Sequence, residues 1–355
     1  SEQQPSILSI PIYMPKNIVK SASLAYNIHT NPKEVLYKMK DTKHKIPTLA
    51  ALTTIAAGVI HLTNRVIVAS SQLKEMLDFS NHNYYNWRFG KIYYTKKGKG
   101  SPLLLIHDTM PGASGYEWSR VEDQLAQEHT VYTLDLLGCG RSEKAGITYT
   151  NFLFVQIICD FIKNVIKEKT DIIASGFSCS FVTTAAAYDK ESINKIMFIN
   201  PVSMISLAQT TTKKDKLFKF FIELPIFGTF IYHIIVSRET INDFFLDKLY
   251  YNPFHVDKDV LDAYYEAAHK GGYYAKCLYS SQSAKYMNIN IRHAVESIDN
   301  SIYIVEGEAE NNGEAIVEAY QNVNPSVEVA ILKEAKHFPH VEVPEQFLEQ
   351  VGIFF

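Results

Sequence analysis

From Tyr84 onward the chain alternates short apolar runs with longer amphipathic segments, and this alternation restricts the folds available to it. Runs such as Pro102–His107 and Lys195–Asn200 are short and dominated by apolar residues, which is typical of strands that are buried on both faces. Segments with helical spacing, among them Tyr116–Gln127 and Asn151–Lys167, lie between such runs. We therefore predict an α/β fold with a mostly parallel sheet and helices on both of its faces.

Residues 204–299 interrupt this alternation. The segment is rich in Phe and Tyr, and proline and glycine divide it into short pieces with helical spacing. Structureless loops of that length are uncommon in compact domains. We predict a helical cap inserted between two strands and packed over the carboxyl edge of the sheet. The α/β core would then comprise residues 75–203 and 300–355. A separate helical domain that binds a protein is the less favoured alternative, because the sheet pattern resumes after residue 300.

The first 70 residues differ in character from the rest. Residues 1–45 form a polar extension that contains prolines and ends in a lysine-rich stretch, and residues 46–70 are predicted to form a hydrophobic helix. Residues 46–64 carry no formal charge, and this length approaches the roughly 20 residues that span a bilayer. Two interpretations stay open. The helix is a membrane anchor, whose preceding lysines favour a cytoplasmic N-terminus, or it packs on a cytoplasmic domain.

Charge and cysteine content argue against several classes of partner and site. The net charge of −3 gives no reason to expect a nucleic-acid or anionic-membrane partner. The four cysteines are scattered without C-x-x-C spacing, so they predict neither a zinc site nor a dense disulfide framework. They are Cys139, Cys159, Cys179 and Cys277.

A candidate nucleophile, Ser178, lies in the segment Gly176-Phe177-Ser178-Cys179-Ser180. The segment falls between a predicted strand, Asp171–Ala174, and a predicted helix that begins at Cys179. A serine in a tight strand-to-helix turn presents its hydroxyl at a helix N-terminus, and the following backbone N–H can stabilise an oxyanion. Taken alone, the triplet also fits an ordinary turn or helix cap.

A candidate base, His337, follows the last predicted strand, Val327–Leu332, where a loop could present an imidazole to the serine. His340 and Glu342 lie close to it in sequence. These three residues do not suit a metal site, because Pro339 prevents the helix that ligands three residues apart would need. We assign His340 a structural role in the turn.

Four motifs in register resemble those of the α/β-hydrolase superfamily. Leu104-Leu105-Ile106-His107 followed by Pro111-Gly112 is similar to the oxyanion-loop segment, and Asp135–Ser142 resembles the D-x-x-G-x-G-x-S loop. The serine segment is similar to G-x-S-x-G, and His337-Phe338-Pro339-His340 resembles the histidine loop. The resemblance covers about residues 85–203 and 300–355. It implies an α/β-hydrolase fold in which the inserted segment is the cap.

The resemblance also implies roles for individual residues. Ser178 would attack a substrate carbonyl, and His337 would take its proton and return it to the leaving group. The backbone N–H groups of Cys179 and Thr109 would form the oxyanion hole. Glu310 is the expected third member of the triad, with Glu308 in reserve. Chemistry of this kind needs no cofactor and no metal.

Three positions depart from the family pattern. Asp108 stands where glycine usually follows the oxyanion-loop histidine, and it brings a negative charge to a site that would stabilise an anion. Ser180 replaces the last glycine of G-x-S-x-G, and Glu310 replaces the usual aspartate. Together these departures keep a non-catalytic relative open as an alternative.

A serine nucleophile disfavours epoxide hydrolase and dehalogenase chemistry, for which the family's usual attacking group is aspartate. Ester, thioester, amide and carbon–carbon bond hydrolysis remain, together with acyl transfer. The aromatic insertion predicts an apolar pocket and therefore a small acyl or aryl substrate. The alternatives are an acyltransferase, a membrane-tethered protein that holds a lipid-like molecule without catalysis, and a scaffold that binds a protein through the insertion.

Overall fold

A computed structural model describes residues 45–77 and 83–355, so the predicted extension over residues 1–45 lies outside the described residues except for its last member. The first element is a long helix, α1 (Lys45–Ser71). A single sheet of eight strands follows. Its strands are β1 (Asn83–Trp87), β2 (Gly90–Lys97), β3 (Ser101–Ile106), β4 (His129–Leu134), β5 (Thr170–Ser175), β6 (Ile193–Ile199), β7 (Ile302–Gly307) and β8 (Glu328–Leu332).

The strands are ordered β1-β2-β4-β3-β5-β6-β7-β8 across the sheet. The β1–β2 and β2–β4 pairs are antiparallel, and every later pair is parallel. Parallel neighbours need crossover connections, so the carboxyl ends of β3, β5, β6, β7 and β8 meet at one edge. The predicted α/β-hydrolase fold is confirmed.

Helices cover both faces of the sheet. Between β3 and β6 lie α2 (Glu122–Leu125), α3 (Asn151–Phe161) and α4 (Ser178–Tyr188). The insertion between β6 and β7 contains α5 (Met204–Leu207), α6 (Lys213–Glu223), α7 (Phe227–Ile235), α8 (Arg238–Phe244), α9 (Lys258–His269), α10 (Lys276–Ser283) and α11 (Arg292–Ser297). The chain ends with α12 (Gly313–Val323), α13 (Pro339–Glu342) and α14 (Pro344–Phe354).

Alternation along each strand divides the core between the two faces of the sheet. Leu104 and Ile106 of β3 pack in one apolar cluster with residues of α3 and α4, such as Phe154. Leu103 and Leu105 point the other way and pack with Trp118 and α14. A third cluster holds the insertion together and includes Phe338, which follows His337. The insertion thus packs directly on the histidine loop.

Two predicted helices differ from the observed ones. The segment over residues 116–127 is broken into a 3₁₀ turn, Gly115–Trp118, and the short α2. The helix that begins at Asn151 keeps α geometry only to Phe161 and ends in a π turn at Ile162–Ile166. The break in the first helix accompanies a tertiary hydrogen bond at its start, in which the amide of Gly115 donates to buried Asp135 at 2.6 Å.

The loop after β4 is held by a buried ion pair. Asp135 Oδ2 accepts hydrogen bonds from the backbone amide and Nε of Arg141, both at 2.7 Å. Burial by itself would raise the pKa of Asp135, but the Arg141 guanidinium outweighs it and lowers that pKa to about 2. This pair closes the D-x-x-G-x-G-x-S loop beside the end of β3.

Candidate active site

Four loops that carry candidate site residues meet at the carboxyl edge of the sheet. Asp108 follows β3, Gly176 follows β5, Glu310 follows β7 and His337 follows β8. Ligands in open α/β sheets bind outside this edge. The order of these loops along the chain matches the order expected from the sequence.

The strand-to-helix turn after β5 is centred on Gly176, two residues before the predicted nucleophile. Gly176 has a φ of +55°, a left-handed conformation that favours glycine. Its amide still donates to Ile199 of β6 at 2.9 Å, and α4 begins at Ser178. Ser178 therefore lies in the first turn of the helix and not at the tip of the turn.

The structure does not bring the Ser178 hydroxyl to His337. Ser178 is fully buried, and its Oγ donates to the carbonyl oxygen of His107 at 2.6 Å. The predicted Ser178–His337 pair is thus corrected, because the turn leaves the strand too early for Ser178 to occupy its tip. In this arrangement the hydroxyl ties α4 to the end of β3.

The space in front of Gly176 is filled by the carboxylate of Asp108. A Cβ built on Gly176 would lie 2.3 Å from both Cγ and Oδ2 of Asp108. Oδ1 of Asp108 accepts hydrogen bonds from the amides of Thr109 at 2.6 Å and Phe177 at 2.9 Å. A side chain from the β3 loop therefore occupies the place that a side chain on the turn would otherwise take.

The two amides on Asp108 are those that would be expected to form an oxyanion hole. One belongs to the residue after the turn residue, and the other belongs to the loop after β3. The sequence predicted the amides of Thr109 and Cys179 for this role. In the structure Phe177 takes the place predicted for Cys179. The amide of Cys179 donates instead to the carbonyl of Gly176 at 3.4 Å, inside the first turn of α4. This correction has the same cause as that of Ser178.

His337 lies between two carboxylates. Its Nδ1 is 3.1 Å from Oε2 of Glu310, and its Nε2 is 3.3 Å from Oδ2 of Asp108. Burial by itself would lower the pKa of His337, but the charges and hydrogen bonds of Glu310 and Asp108 raise it well above its ordinary value. The two carboxylates therefore favour the cationic form of the imidazole.

Glu310, and not Glu308, is the carboxylate that the structure brings to His337. Glu308 is exposed, and its Oε1 accepts from the amide of Glu334 at 2.8 Å. The histidine loop is fixed by Asn200, whose Nδ2 donates to the carbonyl oxygens of Lys336 and His337 at 2.7 and 2.8 Å. No sequence motif pointed to Asn200, because its role depends on how closely the end of β6 approaches the loop after β8.

His340 and Glu342, the other two polar residues considered for a metal site, make contacts that support the fold. His340 is fully buried, its ring lies 4.6 Å from that of Trp118, and its Nε2 lies 3.2 Å from Oε1 of Glu117. Glu342 accepts from the amides of Lys336 and Tyr251. Within residues 45–77 and 83–355, no group of three or more His, Cys, Asp or Glu side chains is arranged to hold a metal ion.

Comparison with known proteins identifies the family of the chain. A model described as "Alpha/beta hydrolase family" matches residues 103–350, which is more than half of the chain. The chain belongs to the alpha/beta hydrolase family.

Relatives of this alpha/beta hydrolase differ in their chemistry. It is 28% identical over 114 residues to 2-hydroxy-6-oxo-6-(2'-aminophenyl)hexa-2,4-dienoic acid hydrolase of Metapseudomonas resinovorans, covering 32% of this chain and 39% of that protein. It is 29% identical over 109 residues to the soluble epoxide hydrolase of Corynebacterium sp. (strain C12), covering 31% and 37%. The matched segment thus spans about two fifths of each relative's length.

A solved structure of a serine hydrolase involved in carbazole degradation has the same fold. It superposes with a TM-score of 0.64 at 17% identity, and the match covers 77% of this chain and 98% of that one. At this identity the likeness concerns the fold alone.

An apolar cavity of this alpha/beta hydrolase lies between the oxyanion loop and the insertion. It has room for about one water molecule. Met110, Tyr232, Leu278 and Tyr279 are among the residues that line it. Thr109 also lines it, and its buried hydroxyl has no hydrogen-bond partner within the described part of the chain. Its lining, mainly apolar apart from that hydroxyl, favours apolar over charged ligands.

We expect Ser178→Ala to change stability and not reactivity. The substitution leaves the buried carbonyl of His107 without its hydroxyl donor, so the free energy of unfolding should fall by about 1–3 kcal/mol. Urea denaturation measures this change. Fluorophosphonate labelling should be absent from both wild type and variant. Labelling of the wild type that is lost in both Ser178→Ala and His337→Ala would restore the serine mechanism.

Glu306 at the end of β7 predicts a pH dependence of stability. Burial and the charge of Glu310 raise its pKa from 4.5 to about 8. In the unfolded chain Glu306 ionises near pH 4.5, whereas in the folded protein it stays protonated to about pH 8. The folded state therefore binds more protons in this window, and stability contributed by this group falls as pH rises through it.

Glu306→Gln removes this dependence. We expect the variant to gain stability relative to wild type as pH rises from about 5 to about 8. Urea midpoints measured for both proteins at each pH give the difference, in which the other titrating groups largely cancel. A difference that stays constant with pH would contradict the assignment.

Proposed function

We propose that this chain is a hydrolase that attacks its substrate with the carboxylate of Asp108. His337 and Glu310 then activate the water that releases the product. The observation that carries the proposal is the position of Asp108: its carboxylate occupies the space in front of Gly176, on two backbone amides and beside His337.

The two carboxylate oxygens of Asp108 have different contacts and therefore different roles in the proposed reaction. Oδ1 is held by the amides of Thr109 and Phe177. Within the described residues no backbone amide donates to Oδ2, which faces Nε2 of His337. Oδ2 is thus the oxygen that can form a bond to substrate, while Oδ1 is already placed where negative charge would develop later.

A carboxylate nucleophile favours a particular kind of substrate. Attack on an ester carbonyl would form an anhydride and expel an alkoxide, which is a poorer leaving group than the carboxylate itself. Attack on a saturated carbon in a strained ring gives a stable ester. We therefore propose a small apolar epoxide as the substrate class, and the similarity to a soluble epoxide hydrolase supports this choice.

In the first step Oδ2 of Asp108 forms a bond to a ring carbon, and the ring C–O bond breaks. The resulting alkoxide takes the proton of cationic His337, which becomes neutral.

In the second step water attacks Cγ of the Asp108 ester. Neutral His337, oriented by Glu310, takes a proton from that water. The negative charge on Oδ1 is stabilised by the amides of Thr109 and Phe177. The ester C–O bond breaks, and the alkoxide leaves with the proton from His337. The new carboxyl group of Asp108 then gives the second proton of the water to His337, which restores the carboxylate and the cationic imidazole. The net reaction adds one water to the epoxide and gives a diol.

Acyl ester hydrolysis by Ser178, the reaction predicted from sequence, is less well supported by this geometry. Oγ of Ser178 would have to leave the carbonyl of His107 and reach His337, which Asp108 already occupies. For Ser178 to replace Asp108 at His337, the oxyanion loop that carries Asp108 would have to move.

A single-turnover experiment in oxygen-18 water tests the proposal. Excess protein is mixed with styrene oxide or 1,2-epoxyhexane, and the diol and the peptide containing Asp108 are analysed by mass spectrometry. We expect unlabelled diol and oxygen-18 in Asp108. Labelled diol would make Asp108 a general base for direct attack by water. The absence of diol from both epoxides with folded protein would favour the non-catalytic alternative.

A further inference from the structure

The corner between α6 and α7 exposes large apolar side chains. The axes of the two helices are bent by 103° at this corner. Phe220 and Phe221 at the end of α6 are 59% and 50% exposed, and Phe227 at the start of α7 is 51% exposed. Leu217 and Ile231 extend the same surface along each helix. We call this set of five residues the aromatic corner.

Positive charge accompanies the aromatic corner. Lys213, Lys214 and Lys216 of α6 are all exposed. The acidic residue of the same turn, Asp215, caps the helix with Thr212 and lies 3.4 Å from Lys285. Its charge is therefore balanced locally. Lysines beside exposed aromatic residues are typical of helices that lie at the interface of an anionic membrane.

The long helix α1 lies directly beside this corner. α1 packs against α7, and Nδ2 of Asn64 donates to the carbonyl of Ile226, between α6 and α7, at 3.0 Å. The side of α1 that faces away from the fold carries an apolar stripe at intervals of three and four residues. The stripe consists of Leu52, Ile55, Val59, Leu62 and Val66.

α1 is long and apolar enough to enter a bilayer, and only 6% of its Ala51–Ser71 window is buried in the protein. Leu52 and Ile55 near its start are 59% and 63% exposed, so both present apolar surface to a bilayer. A bilayer that holds it would meet the aromatic corner near Asn64. Lipid acyl chains would then contact the apolar stripe and the aromatic side chains, and lipid headgroups would contact the lysines.

We propose that the aromatic corner binds the surface of an anionic phospholipid bilayer, beside α1 inserted in the same bilayer. This proposal is independent of the chemistry assigned to Asp108. Tyr232 of α7 lines the cavity beside Thr109, so α7 faces both lipid and cavity. An apolar substrate dissolved in the membrane would thus meet the protein next to its site.

Quenching by brominated lipid tests the contact in the full chain. Phe221→Trp places an indole at the corner, and the two native tryptophans, Trp87 and Trp118, are buried. Vesicles contain three parts phosphatidylcholine to one part phosphatidylglycerol, with brominated or ordinary acyl chains. The matched control is Phe254→Trp, at an insertion residue that is 93% exposed outside the corner.

We expect bromination to quench Phe221→Trp fluorescence several-fold and to leave Phe254→Trp unchanged. Lack of quenching in vesicle-bound Phe221→Trp would overturn the proposal, as would equal quenching of both variants or failure of the chain to bind vesicles. A concentration-dependent blue shift of Phe221→Trp without vesicles would assign the corner to a second copy of the chain.

A lysine variant tests the preference for anionic lipid. Each lysine near an anionic surface contributes about a fivefold increase in partitioning. Lys213→Gln/Lys214→Gln/Lys216→Gln should therefore weaken binding to the mixed vesicles by about a hundredfold and change binding to pure phosphatidylcholine little. The control is Lys163→Gln/Lys169→Gln/Lys333→Gln, at exposed lysines elsewhere. Equal losses in both triple variants would contradict an anionic contact at the corner.

Discussion

Asp108→Asn is expected to lower kcat/KM for epoxide opening by about a thousandfold or more, the scale of loss when a nucleophile is removed. The amide keeps the shape of the carboxylate, and its oxygen can still accept from Thr109 and Phe177. What it lacks is the anionic oxygen that faces His337. The variant should therefore fold as wild type does, and diol formation followed by chromatography measures the loss.

His337→Gln provides the complementary result. Without the imidazole, water is not activated, so the ester on Asp108 should accumulate slowly and persist. The mass of the intact protein would rise by that of one epoxide, and peptide mapping would locate the adduct. An adduct on a residue other than Asp108, or normal turnover by Asp108→Asn, would rule out the carboxylate as nucleophile.

The carboxylates near His337 offer a matched pair for the same assay. Glu310→Gln removes the group 3.1 Å from Nδ1 of His337 and should slow the hydrolysis of the ester. Glu308→Gln changes an exposed residue only two positions away and should leave turnover unchanged. Equal effects of the two substitutions would show that Glu310 does not orient the imidazole.

Gly176→Ser is expected to be strongly destabilising, and Asp108→Gly in the same chain is expected to relieve most of that loss. A Cβ at residue 176 would overlap the carboxylate of Asp108 at 2.3 Å. The φ of +55° adds a smaller cost of about 1–2 kcal/mol for an L-residue. Since the overlap vanishes when Asp108 becomes glycine, the two changes should couple by about 1–3 kcal/mol.

Urea denaturation of wild type, both single variants and the double variant measures that coupling. The double variant should also show new chemistry. It places a hydroxyl at the tip of the turn and frees the amides of Thr109 and Phe177, so fluorophosphonate should label it at residue 176. Losses of stability that simply add would mean that Asp108 does not occupy the space of the missing side chain.

Much of the fold follows from local patterns in the sequence. Short apolar runs predicted the buried strands, and their alternation with helical segments predicted a parallel sheet, because burial on both faces leaves no polar period in a strand. Chain order also placed Glu310 and His337 at the ends of late strands. The structure adds the distance of 3.1 Å between them, which no spacing of residues along the chain specifies.

The position of the turn after β5 could not be predicted in this way. Gly176 and Ser178 both lie in a segment that resembles G-x-S-x-G, and sequence alone does not show which residue takes the left-handed conformation. Pairing with β6 decides it, since the amide of Gly176 still bonds to Ile199 and the chain turns immediately afterwards. A shift of two residues moves a side chain from the tip of the turn into the helix.

The sequence by itself determined the class of fold, the insertion between two strands and the departure at Asp108. Only the tertiary structure decided what that departure does, because the carboxylate meets Gly176 from a loop 68 positions earlier in the chain. Hydrophobic periodicity records which face of an element is buried, a property of neighbours along the chain. A catalytic site depends on distances of a few ångströms between loops, and those are set by how the strands pair.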